Sequence, residues 1–156
     1  MAGKFYLRKF SEINLDDSFF DTLKKGLSWQ CIFSIFFQRG LTRRHKKDAL
    51  HLYSMMNKVW AHFVCIKNEN EPIKLKNQTL PAHNRIKIST MKIAERFRGQ
   101  RLGEGAIGLV LWKWQKSGTD EIYVTAFDKQ DLLISQLEKF GFNKVGFNLN
   151  GEGVYV

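Results

Sequence analysis

A glycine- and arginine-rich turn between a strand-like run and a helix-like run constrains this chain more than any other feature. The turn reads Arg98-Gly99-Gln100-Arg101-Leu102-Gly103-Glu104-Gly105. Arg85 to Ile93 precedes it as a candidate strand, and Ala106 to Trp114 follows as a candidate helix. Such a turn is a place to hold phosphate. Glycines let the backbone approach closely, the first helical N–H groups lack partners within the helix, and the helix dipole favours an anion there. Arg96, Arg98 and Arg101 add positive charge at the same spot.

Two familiar phosphate loops fit poorly. A P-loop needs two glycines with four residues between them, followed by Lys and Ser or Thr, and that string is absent. Gly103-Glu104-Gly105-Ala106-Ile107-Gly108 matches the dinucleotide fingerprint as a string. Its glycines, however, fall mostly inside the helix pattern rather than in the turn. The following strand ends Val124-Thr125-Ala126-Phe127 without the acidic residue that would meet a ribose, Asp128 coming just after it.

The chain has 156 residues, which suits one domain spanning residues 1–156 with room for a real core. Cys31 and Cys65 sit on apolar runs without a partner at metal-ligand spacing, so buried thiols are expected and no metal site. His45, His51, His62 and His83 form no metalloprotease-like pattern. His51 and His62 are expected as outward or satisfied strand residues. The N-terminus lacks the apolar core of a signal peptide, and the strongest apolar run, Leu27 to Phe37, is too short to span a bilayer. A cytoplasmic protein without membrane contact is the expectation.

Along the chain, Phe5 to Phe10 reads as a strand, and Asn14 to Ser18 offers helix-starting residues before an aromatic-rich helical stretch reaching Phe37. That stretch is expected to face the core, with a partner or dimer face as the alternative. Residues Arg39 to Lys47 form the main basic cluster. Ala49 to Tyr53 and Val59 to Ile66 read as a hairpin turning at Asn57, and Lys67 to Asn84 as a polar loop holding both prolines. Glu121 to Phe127 is strand-like. Leu132 to Phe142 is helix-like and ends at Gly141 in the capping position. Phe142 to Phe147 and Gly153 to Val156 close the chain around a turn at residues 148–151. This order predicts an α+β, mixed α/β architecture with an antiparallel first half and a crossover in the second: a central mixed sheet flanked by helices.

From about residue 84 onward the chain resembles the GNAT superfamily of acetyl-CoA-dependent acetyltransferases. Their pyrophosphate loop, Gln/Arg-x-x-Gly-x-Gly/Ala, is matched literally by Gln100-Arg101-Leu102-Gly103-Glu104-Gly105. The commoner wording, Arg-Gly-x-Gly-Ile-Gly, aligns instead with Arg98-Gly99-Gln100-Arg101-Leu102-Gly103, with Arg101 replacing a usual glycine. The second register is preferred because it puts Leu102-Gly103 where the helix begins. Glu138-Lys139-Phe140-Gly141-Phe142 matches a second family signature, the end of a later helix.

The resemblance implies acetyl-CoA as co-substrate, without a metal, and transfer of its acetyl group to a primary amine by direct attack in a ternary complex. It assigns the pantetheine arm to the strand backbone around Thr90 to Ile93, with Met91 and Ile93 as contacts. The pyrophosphate falls to Arg98, Gly99, Gln100, Arg101, Leu102, Gly103, Glu104 and Gly105. Gln130 stands where many relatives place an asparagine that helps bind the cofactor arm. Leu137 stands where relatives often carry the tyrosine that protonates the departing thiolate. No residue stands out as the general base; Ser89, Thr90, Tyr123 and Thr125 are near enough in sequence to matter.

The net charge of +10 favours anionic partners, of which CoA is one. The cluster from Arg39 to Lys47 leaves RNA, DNA or an acidic protein open as a further partner. Two other functions therefore stand beside the enzyme: a catalytically degenerate domain that binds acyl-CoA or a partner, and a basic nucleic-acid-binding module. The acceptor and the oligomeric state, homodimer included, stay open.

Overall fold

Most strands form where the sequence predicts them, and one small hairpin forms where it predicts a loop. The computed structural model describes residues 4–9, 17–21, 50–56 and 59–156. The basic cluster at 39–47, most of the aromatic stretch up to residue 37, Cys31 and the Asn57 turn lie outside the described residues. The described elements are β1 (Lys4–Lys9), β2 (Leu50–Met56), β3 (Val59–Glu69), β4 (Ile73–Lys74), β5 (Thr79–Leu80), β6 (Arg85–Ile93), α1 (Leu102–Gln115), β7 (Glu121–Ala126), α2 (Asp131–Lys139), β8 (Lys144–Phe147) and β9 (Gly153–Tyr155). Single 3-10 turns occupy Ser18–Phe20 and Glu95–Phe97. This is the mixed-sheet α+β architecture expected from the element order.

The chain divides into two compact units, Met1–Lys67 with Ser89–Leu102, and Asn68–Ile88 with Gly103–Val156. In the first unit the strand order is β1-β2-β3-β6. β1 pairs antiparallel with β2 from Lys4↔Met55 to Lys9↔Leu50, and β2 with β3 from Leu50↔Ile66 to Met56↔Val59. Trp60 through Ile66 are all buried, so this strand is covered on both faces. That explains why its sequence reads as a continuous apolar run rather than an alternation. Phe20 meets Trp60 and Phe63 edge-on at 5.0 and 5.3 Å between ring centroids, an arrangement the ring quadrupoles favour. The Asp17 carboxylate accepts the Phe19 N–H at 2.8 Å and opens the 3-10 turn that delivers both phenylalanines. His62, expected as outward or satisfied, is fully buried, which rules out the outward placement.

In the second unit the order is β6-β7-β9-β8. The first half of β6 runs parallel to β7, Arg85↔Glu121 to Ile88↔Val124, and α1 supplies the crossover that a parallel pair requires. β7 and β8 then pair antiparallel with β9. α1 buries Gly103, Ala106, Ile107 and Val110, the i, i+3, i+4, i+7 stripe of a helix with one core face. α2 closes as the sequence predicts. Gly141 adopts φ +89°, Phe142 N–H donates to Leu137 C=O at 3.1 Å, and Gly141 N–H donates to Glu138 C=O at 3.0 Å, which is the Schellman pattern.

One segment departs from the expected polar loop. Lys67 to Asn84 continues β3 as far as Glu69 and then forms the small hairpin β4–β5. The reason is apolar: Leu75 is buried against Tyr123 and Val154, with Ile73 and Leu80 packed around it. These isolated residues are too few to raise a periodic signal, yet burying them is worth a hairpin.

Candidate functional site

The loop after β6 is built by its backbone. Gly99 takes φ +80° and Arg101 takes φ +57°, and α1 begins at the next residue, Leu102. Arg101 is the one described non-glycine residue with positive φ. It therefore holds a left-handed conformation where the preferred register expects glycine, and the helix starts where that register requires. A Cβ at Gly99 would meet nothing within 4 Å, so the turn opens to solvent. Arg96, Arg98, Gly99, Gln100 and Arg101 are exposed. Among the described residues the Arg98 side chain makes a surface pair with Glu95 at 3.6 Å. Glycine backbone, exposed guanidinium groups and a helix N-terminus together can accept an anion such as a pyrophosphate. Glu104, half-buried in the first turn of α1, is the one acidic group in that turn. Gly103 is buried and Gly105 half-buried, so the G-x-G-x-x-G string lies in the helix, as its sequence position implied.

Upstream, the ladder from β6 to β7 ends at Ile88↔Val124, while β6 itself continues to Ile93. Met91 and Ile93 are half-buried on that continuation. Thr90 is 6 % exposed, and the Thr90 and Ser89 hydroxyl oxygens are shielded from water without a hydrogen-bond partner among the described residues. Ala94 N–H donates to Ala61 C=O at 2.9 Å and fixes the exit of the strand.

The other expected residues fall as follows. Gln130 precedes α2 and turns its side-chain carbonyl back to accept the Phe127 N–H at 2.8 Å, leaving its amide NH₂ to donate elsewhere. Leu137 is fully buried, so an apolar side chain fills the position of the absent tyrosine. Tyr123 is buried, donates its hydroxyl hydrogen to Glu69, and has its pKa raised, chiefly by burial and then by the Glu69 charge. It is unsuited to act as a base. Thr125 is half-buried.

Sequence reading missed a charged network at the start of β6 and β7. Arg85 is 1 % exposed, and its Nε donates to Glu121 at 2.6 Å and its Nη1 to Glu71 C=O at 3.3 Å. His83 Nδ1 lies 3.0 Å from the other Glu121 oxygen. Burial raises the Glu121 pKa, but the hydrogen bonds and charges of Arg85 and His83 outweigh it and hold the carboxyl below its ordinary value. Register partners Arg85↔Glu121 carry this pair, and only the parallel pairing reveals it. Lys92 was missed as well. It is half-buried, its ammonium donates to Phe19 C=O, and it sits 4.4 Å from the Phe19 ring centroid. Among the described residues no group of three or more His, Cys, Asp or Glu could hold a metal ion, and no helix is long and apolar enough to cross a membrane.

No protein-family model and no curated protein matches the sequence. Solved structures do match. An aminoglycoside acetyltransferase from an uncultured soil metagenomic sample is 13 % identical with a TM-score of 0.64, covering 96 % of this chain and 97 % of that one. An aminoglycoside N-acetyltransferase in complex with CoA is 10 % identical with a TM-score of 0.60, covering 90 % and 92 %. A transcriptional regulator from Bacillus halodurans is 12 % identical with a TM-score of 0.62, covering 95 % and 97 %. At such identities the likeness carries fold and not activity, and fold alone does not fix function. Loop geometry, element order and these neighbours agree on one point: the chain has the fold of the GNAT acetyltransferases.

Proposed function

We propose that this chain is an acetyl-CoA-dependent N-acyltransferase acting on a primary amine by direct attack in a ternary complex. The observation that carries the reading is the Gly99–Arg101 double reversal of φ leading straight into the N-terminus of α1. In this reading the amides from Gly99 to Gly105, with Arg98 and Arg101, hold the pyrophosphate. The backbone at Met91 and Ile93 lines up the pantetheine arm. The acceptor nitrogen attacks the thioester carbonyl carbon and gives up a proton to solvent, the C–S bond breaks, and the thiolate takes its proton from water because Leu137 offers none. Positioning alone can supply much of the acceleration, so a missing acid side chain is compatible with turnover.

A second reading rests on the same Leu137: a domain that binds acyl-CoA without turning it over. Calorimetric titration of acetyl-CoA and CoA, with NAD as control, tests both. Binding of CoA species but not NAD, followed by amine-dependent thiol release, supports the enzyme. Binding without release from any amine in a broad panel supports the second reading. No binding by the folded protein removes both. Substitutions belong at exposed Arg98 and Arg101 rather than at Gly103, whose burial would turn a bulky replacement into a packing defect.

A further inference from the structure

The ammonium of Lys92 rests in surroundings suited to an amine. The Phe19 carbonyl accepts one of its hydrogens, and the Phe19 ring face lies 4.4 Å away. Trp60 stacks on that ring, at 5.7 Å between centroids and 18° between planes. A carbonyl oxygen and a π face are the two groups that recognise a primary ammonium while partly desolvating it. Asp21 and Glu95 add negative charge around it. Burial lowers the Lys92 pKa, and the two carboxylates oppose that shift without cancelling it. Lys92 also lies on the part of β6 beyond the β7 ladder, between Met91 and Ile93. Neighbouring strand residues stand only about 3.3 Å apart along the chain. The chain thus carries its own half-buried amine beside the stretch of backbone assigned to the acyl arm.

We propose that Lys92 is an internal acceptor, acetylated by the acetyl-CoA bound to its own chain. The inference rests on the acetyl-CoA reading above. Lys92 Nζ first releases a proton to water, and its lone pair attacks the thioester carbonyl carbon. The N–C bond forms, the nitrogen gives up its second proton to solvent, the C–S bond breaks, and the thiolate is protonated by solvent. The sum is one ammonium and one thioester giving one amide, one thiol and one released proton, with no redox change. Acetylation removes the charge held by the Phe19 carbonyl and ring, so the modified chain loses that contact.

The test incubates the 156-residue chain with acetyl-CoA and follows intact mass, then maps acetyl groups by peptide mass spectrometry. Calorimetric binding of CoA is measured on the same preparation. Lys92 is expected to gain an acetyl group about tenfold or more faster than any other lysine, as an oriented intramolecular reaction should. The rate per molecule should not change with protein concentration, and excess CoA should suppress it. Lys92→Arg, which keeps the charge, should lose the modification and retain CoA binding. Acetyl groups spread over lysines according to exposure, or absent from Lys92 although CoA binds, would overturn the inference and leave the acetyl-CoA reading standing. Failure of CoA to bind the folded protein would overturn both.

Discussion

Arg101 stores backbone strain at the turn that leads into α1, and removing that strain has a calculable effect. An L-residue in the left-handed region costs about 1–2 kcal/mol because Cβ crowds the following carbonyl. Glycine escapes this cost, but its extra unfolded-state entropy costs about 0.5–1 kcal/mol. At φ +57°, Arg101→Gly should therefore stabilise the protein by about 0.5–1 kcal/mol, a rise in Tm of about 2–3 °C for a chain of this size. Arg101→Ala keeps Cβ and so keeps the strain. Its Tm should stay at or just below that of the parent. Thermal unfolding of the three proteins in one buffer separates backbone from side-chain effects, because both variants lose the same exposed guanidinium. CoA affinity should fall about two- to fivefold in both, the worth of one exposed charge. A glycine variant no more stable than the alanine variant would refute the strain argument. Unchanged CoA affinity would remove Arg101 from the anion site. Strain retained at one residue is what a functional turn commonly shows.

Other expectations follow from buried charge and packing. His62 is fully buried and its pKa is pushed down from 6.5 to about 4 by desolvation, so its neutral form is favoured in the folded state. The associated stability is whole above pH 6.5 and is lost as pH falls towards 4, which amounts to about 2 kcal/mol by about pH 5; urea titrations should show that loss shrink in His62→Gln, and an equal loss in the variant would refute the assignment. Glu121→Gln leaves the buried Arg85 charge without its carboxylate and should cost about 2 kcal/mol, below the roughly 3–5 kcal/mol of a fully buried pair because Glu121 keeps some solvent. The parent's advantage over that variant should be present above the ordinary carboxylate pKa and vanish as pH falls through the depressed folded value; a variant as stable as the parent at neutral pH would contradict this. Leu137→Tyr adds volume and a hydroxyl at a fully buried site, and should cost about 1–3 kcal/mol by chemical denaturation. Arg98→Glu with Arg101→Glu should weaken CoA binding about tenfold or more in a calorimetric titration at low salt, with retained affinity assigning CoA to another surface.

Local chemistry made much of this protein legible in advance. The turn from Arg98 to Gly105 announces itself because glycine, arginine and a helix start have meanings that need no distant partner. Gly141 is read correctly for the same reason: a helix C-terminus is closed by bonds within six residues. β3 is visible because a long apolar run must be buried somewhere, and β6 because its isoleucines alternate with polar residues. The tertiary structure decided whatever depends on who sits opposite. Arg85 and Glu121 are 36 residues apart in sequence, and only parallel pairing sets them side by side. Lys92 meets Phe19 across 73 residues, so its amine-like surroundings have no local signature. The β4–β5 hairpin exists because Leu75 finds Tyr123 and Val154, contacts that no window of sequence contains. His62 shows the same division: its strand is written in the sequence, but its burial, and with it its neutral state, depends on what the fold packs around it. Sequence fixes conformation where the deciding energies are between neighbours, and the fold decides wherever desolvation and pairing join residues that the chain keeps far apart.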